Sequence, residues 1–244
     1  MTDSKTAGIV IIGNEILSGK VKDSNSFFLA RELRELGVNV MKISVIPDDI
    51  DTIGWEVAGY ASKFDYVFTS GGVGPTHDDV TMAGIARGFN VKLVQHEGIT
   101  QILNSRYKDV VNSAVLKMAE VPEGSEIEFH EKMRFPVVSF RNVFIFPGIP
   151  EYMQNKFIMI REKFRSSVFY LKRLYLNCHE SSIAALLSDV VEKYKDVTIG
   201  SYPIIGETDF RVIITAETKS RSTLDMALGE LIHNLPENVL VKIE

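Results

Sequence analysis

Three glycines and two adjacent aspartates fall within the stretch Gly71-Gly72-Val73-Gly74-Pro75-Thr76-His77-Asp78-Asp79. It follows a strand-like run, Asp65-Tyr66-Val67-Phe68-Thr69, and precedes a helix expected to begin near Val80. A glycine turn between strand and helix lets main-chain N–H groups approach an anion, because glycine tolerates positive φ and carries no side chain. Gly71, Gly72, Val73 and Gly74 are therefore expected to hold phosphate oxygens through the backbone, with Ser70 and Thr76 adding hydroxyl donors. The carboxylates of Asp78 and Asp79 stand at the mouth of that cradle. There they would hold a hard divalent cation (Mg²⁺, Mn²⁺ or Co²⁺) that bridges to the phosphates. A turn followed by an Asp helix cap is the plainer alternative, but Pro75, Thr76 and Thr81 at their offsets favour the phosphate site. His77 either protonates a leaving phosphate or points to solvent.

These residues need elements to position them, and the first half of the chain alternates strand and helix. Residues 8–13 are a continuous apolar run, as expected of a strand buried on both faces. A helix over 25–36, capped by Asp23 or Ser24, leads to a strand over 38–46. Pro47-Asp48-Asp49 opens another helix with Ile53, Val57 and Tyr60 facing inward; Trp55 and Tyr60 are read there as core rather than as a flavin stacking platform. This is the order of a doubly wound parallel sheet, whose right-handed crossovers place every strand's C-terminal end on one rim. Ligands bind at that rim in open α/β sheets. Three acid-bearing loops reach it, carrying Glu15, Asp48 and the Asp78-Asp79 pair. Glu15 is either a metal ligand or a helix N-terminal acid, and its place on the rim favours the metal.

Further along, 95–119 reads as one or two helices, 128–139 as irregular structure or a hairpin, and 143–146 as a strand. The turn Pro147-Gly148-Ile149-Pro150 then precedes a helix over 151–164. Arg134 and Arg141 could clamp a distal phosphate, but are read as surface residues. After residue 165 the order is strand, helix, strand, strand, helix, strand, the split ferredoxin-like pattern. The expected domains are 1–165 and 166–244. The second shows no phosphate turn, acid pair or metal spacing, and is assigned to packing, oligomer contacts or closure over the site.

Composition excludes several classes. With 244 residues, 45% hydrophobic and 24% charged, the chain suits a soluble globular protein. Its net charge of −5 gives no footprint for nucleic acid or for an anionic membrane. No apolar run reaches membrane-spanning length and the first residues lack a signal-peptide core. The single cysteine, Cys178, rules out an internal disulfide and is read as a small buried residue on a strand. His96, His130, His179 and His233 have no spaced Cys or acid partner. A cytoplasmic setting follows as the expectation.

With these motifs placed, the chain resembles the molybdopterin-binding-like family that includes MoaB, MogA and the N-terminal domain of CinA. The resemblance rests on Gly13-Asn14-Glu15-Ile16-Leu17-Ser18-Gly19, Asp23-Ser24-Asn25, Pro47-Asp48, Ser70 to Thr76 with Asp78-Asp79-Val80-Thr81, and Phe146-Pro147-Gly148-Ile149-Pro150. Residues 134–143, Gly200-Ser201-Tyr202-Pro203 and the order of the C-terminal unit are similar to the N-terminal half of eukaryotic FAD synthase. The resemblance implies a Rossmann-like three-layer α/β/α sandwich, a nucleotide or pterin ligand on the glycine turn, and a divalent cation; a homo-oligomer is a further expectation. By motif, the two acids important in MogA-type enzymes fall on Asp48 and Asp79. Relatives of the CinA and FAD synthase kinds imply a metal-dependent pyrophosphatase acting on ADP-ribose or FAD. The rival expectations are a molybdopterin-handling adenylyltransferase and a non-catalytic ligand-binding module. FAD synthesis itself is not expected of these residues, because flavin adenylylation resides in a separate domain of those relatives.

Overall fold

The computed structural model describes residues 5–131, 133, 135–206 and 209–244, with Asp109 given by its backbone alone; Arg134 lies outside the described residues. The chain divides into two units, Met1–Ser166 and Ser167–Glu244.

The apolar run near the N-terminus forms β1 (Thr6–Ile12), buried from Ala7 onward. Its residues alternate between two cores: Ala7, Ile9 and Ile11 join one, Val10 and Ile12 the other. A strand dressed on both faces needs helices on both, and the sequence supplies them. In chain order follow α1 (Asn14–Leu17), α2 (Asn25–Glu35), β2 (Asn39–Ile46), α3 (Ile50–Ala61), β3 (Tyr66–Ser70) and α4 (Thr81–Gly88). Then come β4 (Leu93–Gln95), α5 (Glu97–Tyr107), α6 (Ser113–Lys117), β5 (Glu120–Pro122), β6 (Glu126–Glu128), β7 (Val137–Phe140), β8 (Val143–Phe146) and α7 (Pro150–Ile160). The sheet order is β2-β1-β3-β8-β7-β6. The first four strands are parallel, and β7 and β6 extend the edge antiparallel.

Ile53, Val57 and Tyr60 of α3, Ile85 of α4, and Ile99 and Leu103 of α5 fill the core on one face. Leu29 and Leu33 of α2 and Met153, Phe157 and Ile160 of α7 fill the other. The first unit is thus a Rossmann-like three-layer sandwich with a parallel-dominant sheet. Two details fix its working end. A Cβ on Gly54 would lie 2.8 Å from the Gly84 carbonyl oxygen and 2.9 Å from the Gly88 nitrogen, so α3 and α4 approach too closely for any larger residue there. At the opposite end, Lys5 and the Thr6 N–H hold the Asp65 carboxyl down to about pKa 2, tying the start of β3 to β1.

One expectation about α3 needs correction. Trp55 is not core: its side chain is 77% exposed, because the turn of α3 that points Ile53, Val57 and Tyr60 inward aims Trp55 the other way. The stretch expected to hold one or two helices carries α5 and α6, and residues 93–95 and 120–122 at its two ends form a small antiparallel pair.

The second unit comprises β9 (Tyr170–Leu176), α8 (Glu180–Lys193), β10 (Thr198–Pro203), β11 (Val212–Thr218), α9 (Arg221–His233) and β12 (Leu240–Ile243). Its sheet order is β10-β11-β9-β12, antiparallel throughout, which is the split ferredoxin-like arrangement. Val212, Ile214 and Ala216 of β11 alternate into a core shared with Ile183, Val190, Leu224 and Leu228. Cys178 lies beyond the end of β9 and is half-buried, not on a strand. A 430 Å³ concavity on the outer face of this sheet, beside Arg173, Tyr175 and Tyr202, includes no residue of the rim loops.

Candidate functional site at the topological switch point

β1 lies between β2 and β3, and the helix following β1 covers the opposite face from the helix following β3. The loops leaving these two strands therefore part at the rim and open a crevice, the place where open α/β sheets take ligands. Gly13, at the end of β1, donates its N–H to the Ile46 carbonyl at 3.1 Å, closing the end of β2 against it. On the other side, the Gly71 N–H donates to the Phe146 carbonyl at 3.1 Å and closes the end of β8.

The glycine turn divides into a scaffold half and an open half. Gly71 has φ +117, and a Cβ there would overlap the Ile12 carbonyl. Gly72 has φ +62, and a Cβ on it would overlap the Thr81 hydroxyl. Buried Thr81 accounts for both: its Oγ1 donates to the Gly71 carbonyl at 2.8 Å and its N–H to the Gly72 carbonyl at 3.0 Å. The expectation that Ser70 and Gly71 donate to a phosphate is corrected here. The Ser70 hydroxyl is buried and donates to the Pro147 carbonyl at 3.0 Å, and the Gly71 N–H is taken by Phe146. The N–H groups of Gly72, Val73 and Gly74, all half-buried, have no partner among the described residues. Three successive main-chain donors on one turn are thus left without a protein partner among the described residues.

The acids occupy different positions. Asp48 is half-buried; its Oδ2 accepts the Asn14 N–H at 2.8 Å, and its Oδ1 lies 3.6 Å from where a Cβ on Gly72 would stand. It therefore joins all three rim loops. Asp79 folds back onto its own turn: its Oδ2 accepts the Thr76 N–H at 2.8 Å and lies 2.6 Å from where a Cβ on Gly74 would stand. Neither Asp78 nor Asp79 caps α4, whose first turn has no side-chain cap, so the plainer alternative does not hold. The Thr76 hydroxyl faces Asp78 at 2.6 Å and Asp79 as well. Its hydrogen bond, the Asp78 N–H, and the charges of His77 and Lys117 hold the Asp78 carboxyl below the usual carboxylate range. Thr76 therefore organises the acids and has no donor left for a phosphate. His77 is 98% exposed, 3.9 Å from Asp78, and reaches none of the other rim acids. Glu15 curls back beside its own Gly13, with its Cδ 2.8 Å from where a Cβ there would stand.

Glu15, Asp78 and Asp79 are not gathered: among the described residues no three His, Cys, Asp or Glu side chains converge to hold a metal. What the site does present is two neighbouring carboxylates, Asp78 and Asp79, drawn onto the one Thr76 hydroxyl. Such a pair fits a Mg²⁺-type cation, which takes one or two protein carboxylates and completes its shell with phosphate oxygens and water. It does not fit a closed all-protein cage.

Asn25 was not legible as a site residue. Its buried amide donates to the Ser70 hydroxyl at 2.9 Å and to the Gly148 carbonyl at 2.7 Å, pinning α2 to the ends of β3 and β8. Its Oδ1 is buried without a partner. Asp23 fixes the start of that helix by accepting the Asn25 and Ser26 N–H groups at 2.9 and 3.0 Å. A Ser-Asn pair at a helix start is the sequence signal, and it also reads as an ordinary cap.

Among the described residues no helix is long and apolar enough to cross a membrane. The chain is 34% identical over 260 residues to a Caenorhabditis elegans protein named "Probable FAD synthase", covering 95% of this chain and 50% of that protein. It is 34% identical over 243 residues to a Pyrococcus horikoshii protein, covering 93% and 92% of the two. It therefore spans half the length of the nematode relative and nearly all of the archaeal one. Among solved structures, CinA of unknown function from Thermoplasma acidophilum superposes with a TM-score of 0.62 at 29% identity, over 66% of this chain and 98% of that one. Residues 168–244 match the family described as "FAD synthase, middle domain". Residues 8–164, which contain every rim loop described above, match "Probable molybdopterin binding domain", and the chain belongs to that family.

Proposed function

We propose that this chain binds a diphosphate-bridged dinucleotide on its glycine turn and hydrolyses the pyrophosphate bond with a divalent cation, FAD being the substrate. The carrying observation is the run of three unpaired main-chain donors, Gly72 to Gly74, next to the half-buried Asp48 carboxylate. The donors bind the pyrophosphate oxygens and cost no reorganisation, because Thr81 and the β8 end already hold the turn in place. Exposed apolar side chains on the loops and helix starts of the same rim, Leu17, Ile50, Ile149 and Tyr152, offer contact area to the flanking ring systems.

Asp79, with Asp78 or Asp48, would hold the cation, which when bound polarises a phosphoryl oxygen and acidifies a water. Asp48 would orient the attacking water and accept its proton. The water oxygen attacks one phosphorus in line; the P–O–P bond breaks, and the bridging oxygen leaves with the electron pair and takes up a proton. The products are FMN and AMP. The relative named for FAD synthase supports the flavin. The family description supports a second reading, in which the same turn takes the phosphate of a pterin.

Incubation of pure protein with FAD, ADP-ribose and a molybdopterin analogue, with Mg²⁺, Mn²⁺ or Co²⁺ and with EDTA, separates these. Equal amounts of FMN and AMP, released from FAD only with metal, are expected on chromatography. No release from any dinucleotide, with tight binding of the pterin, would replace this reading by the second.

A further inference from the structure

The acids of the glycine turn create an electrostatic problem. A diphosphate brings negative charge onto a segment that already carries Asp78 and Asp79, and a single divalent ion offsets only part of it. The three unpaired main-chain donors contribute partial charge. A full cation fixed at the turn would do more, and the described residues contain one that comes from another element.

Lys117 ends α6, whose start is held by Asn112 accepting the Val115 N–H at 3.0 Å. Val115 and the neighbouring Ala119 are buried in the core of the first unit, so the helix is anchored independently of the turn. From there the half-buried Lys117 side chain reaches across 41 positions of sequence to the Thr76 carbonyl, 2.6 Å from its Nζ. An ammonium has three donors. The Thr76 carbonyl is its one hydrogen-bond partner among the described residues and the Asp78 carboxylate lies within reach of its charge, which leaves two N–H donors without a hydrogen bond beside the turn.

We propose that Lys117 is a ligand-binding and loop-positioning residue of this site: its ammonium holds the Thr76 carbonyl and donates a second N–H to a phosphoryl oxygen of the ligand. The proposal rests on the reading that a phosphate sits on the glycine turn. It assigns a direct ligand contact to α6, an element that supplies none of the rim loops. His77, the other cationic group of the turn, is not equivalent: its ring is nearly fully exposed and is charged only when protonated.

The test is calorimetric titration of FAD, and separately of inorganic pyrophosphate, into the parent, Lys117→Met and Lys117→Arg proteins at several salt concentrations. Loss of one charge-assisted hydrogen bond weakens binding about tenfold to a hundredfold, and that is expected for both probes with Lys117→Met. The dependence of Kd on salt should flatten in that variant, since a screened attraction has gone. Lys117→Arg, which keeps the charge, should recover most of the affinity. If the parent binds and Lys117→Met binds equally well, the proposal is overturned while the glycine-turn reading stands. Weaker binding with an unchanged salt dependence assigns Lys117 to the fold alone and also overturns it. If the parent binds neither probe, the glycine-turn reading falls and the proposal with it. Should Lys117→Met not fold, Lys117→Gln in the same titrations carries the decision.

Discussion

Asp79→Ala is expected to lower the rate of FAD hydrolysis about 10²- to 10³-fold, the loss typical when one preorganised electrostatic group is removed from a reacting phosphate. The carboxylate is the part of the turn closest to Gly74, and it shares the Thr76 hydroxyl with Asp78. Removing it takes away one of the two protein oxygens available to a cation at that point. Stability should move little. The hydrogen bonds lost from Thr76 contribute roughly 0.5–1.5 kcal/mol each at most on so open a loop, and relief of repulsion from Asp78 offsets part of that. Steady-state kinetics and a melting curve on the same preparation check both halves. Full activity in Asp79→Ala, or in the parent with excess EDTA, would remove the cation from the mechanism.

Gly71→Ala is expected to have the opposite signature, a large loss of stability. The added Cβ would sit inside the Ile12 carbonyl, with its carbon 3.0 Å away, at a backbone φ of +117. A left-handed conformation costs an L-residue about 1–2 kcal/mol, and forcing an atom into a packed site about 1–3 more. The sum, roughly 2–5 kcal/mol, lowers the melting temperature by roughly 5–15 °C for a unit of this size. Neither β1 nor β8 can retreat, because the Gly71 N–H is bonded to Phe146 and β1 is paired on both sides. A Gly71→Ala protein that melts with the parent would show that the turn is not held as described. Gly72 is expected to behave similarly, because at φ +62 with the Thr81 hydroxyl behind it any added side chain is strained.

Much of this was legible in the chain because the signals are local. Short strand-like runs, the first of them continuously apolar, and helical spacings placed β1 to β3 with their helices, and right-handed crossovers then put three loops on one rim without reference to any contact. The glycine turn was legible as a tight turn between strand and helix. Its division of labour was not, because that depends on residues far away in sequence. Ser70 loses its donor to Pro147, 77 positions on, and Gly71 loses its own to Phe146. Lys117 reaches Thr76 from a helix with no motif of its own. Trp55 misled for a different reason: a large apolar side chain on a helix suggests core, but only its angular position relative to Ile53 and Val57 decides. The acids were read as one converging set, whereas only Asp48 reaches across to the other loops; Glu15 folds back beside Gly13 and Asp79 onto Thr76.

By the proposed reading, the N–H groups of Gly72, Val73 and Gly74 hold the ligand's phosphates. Amide resonances of ¹⁵N-labelled protein, followed while FAD is added without a divalent cation so that no hydrolysis intervenes, report on these groups one by one. Saturable shifts are expected, largest at these three amides and at Thr76, with Gly71 moving less because its N–H stays on the Phe146 carbonyl. Saturable binding of FAD that leaves the amides of residues 72–74 unmoved, with shifts confined to the second unit, would contradict it.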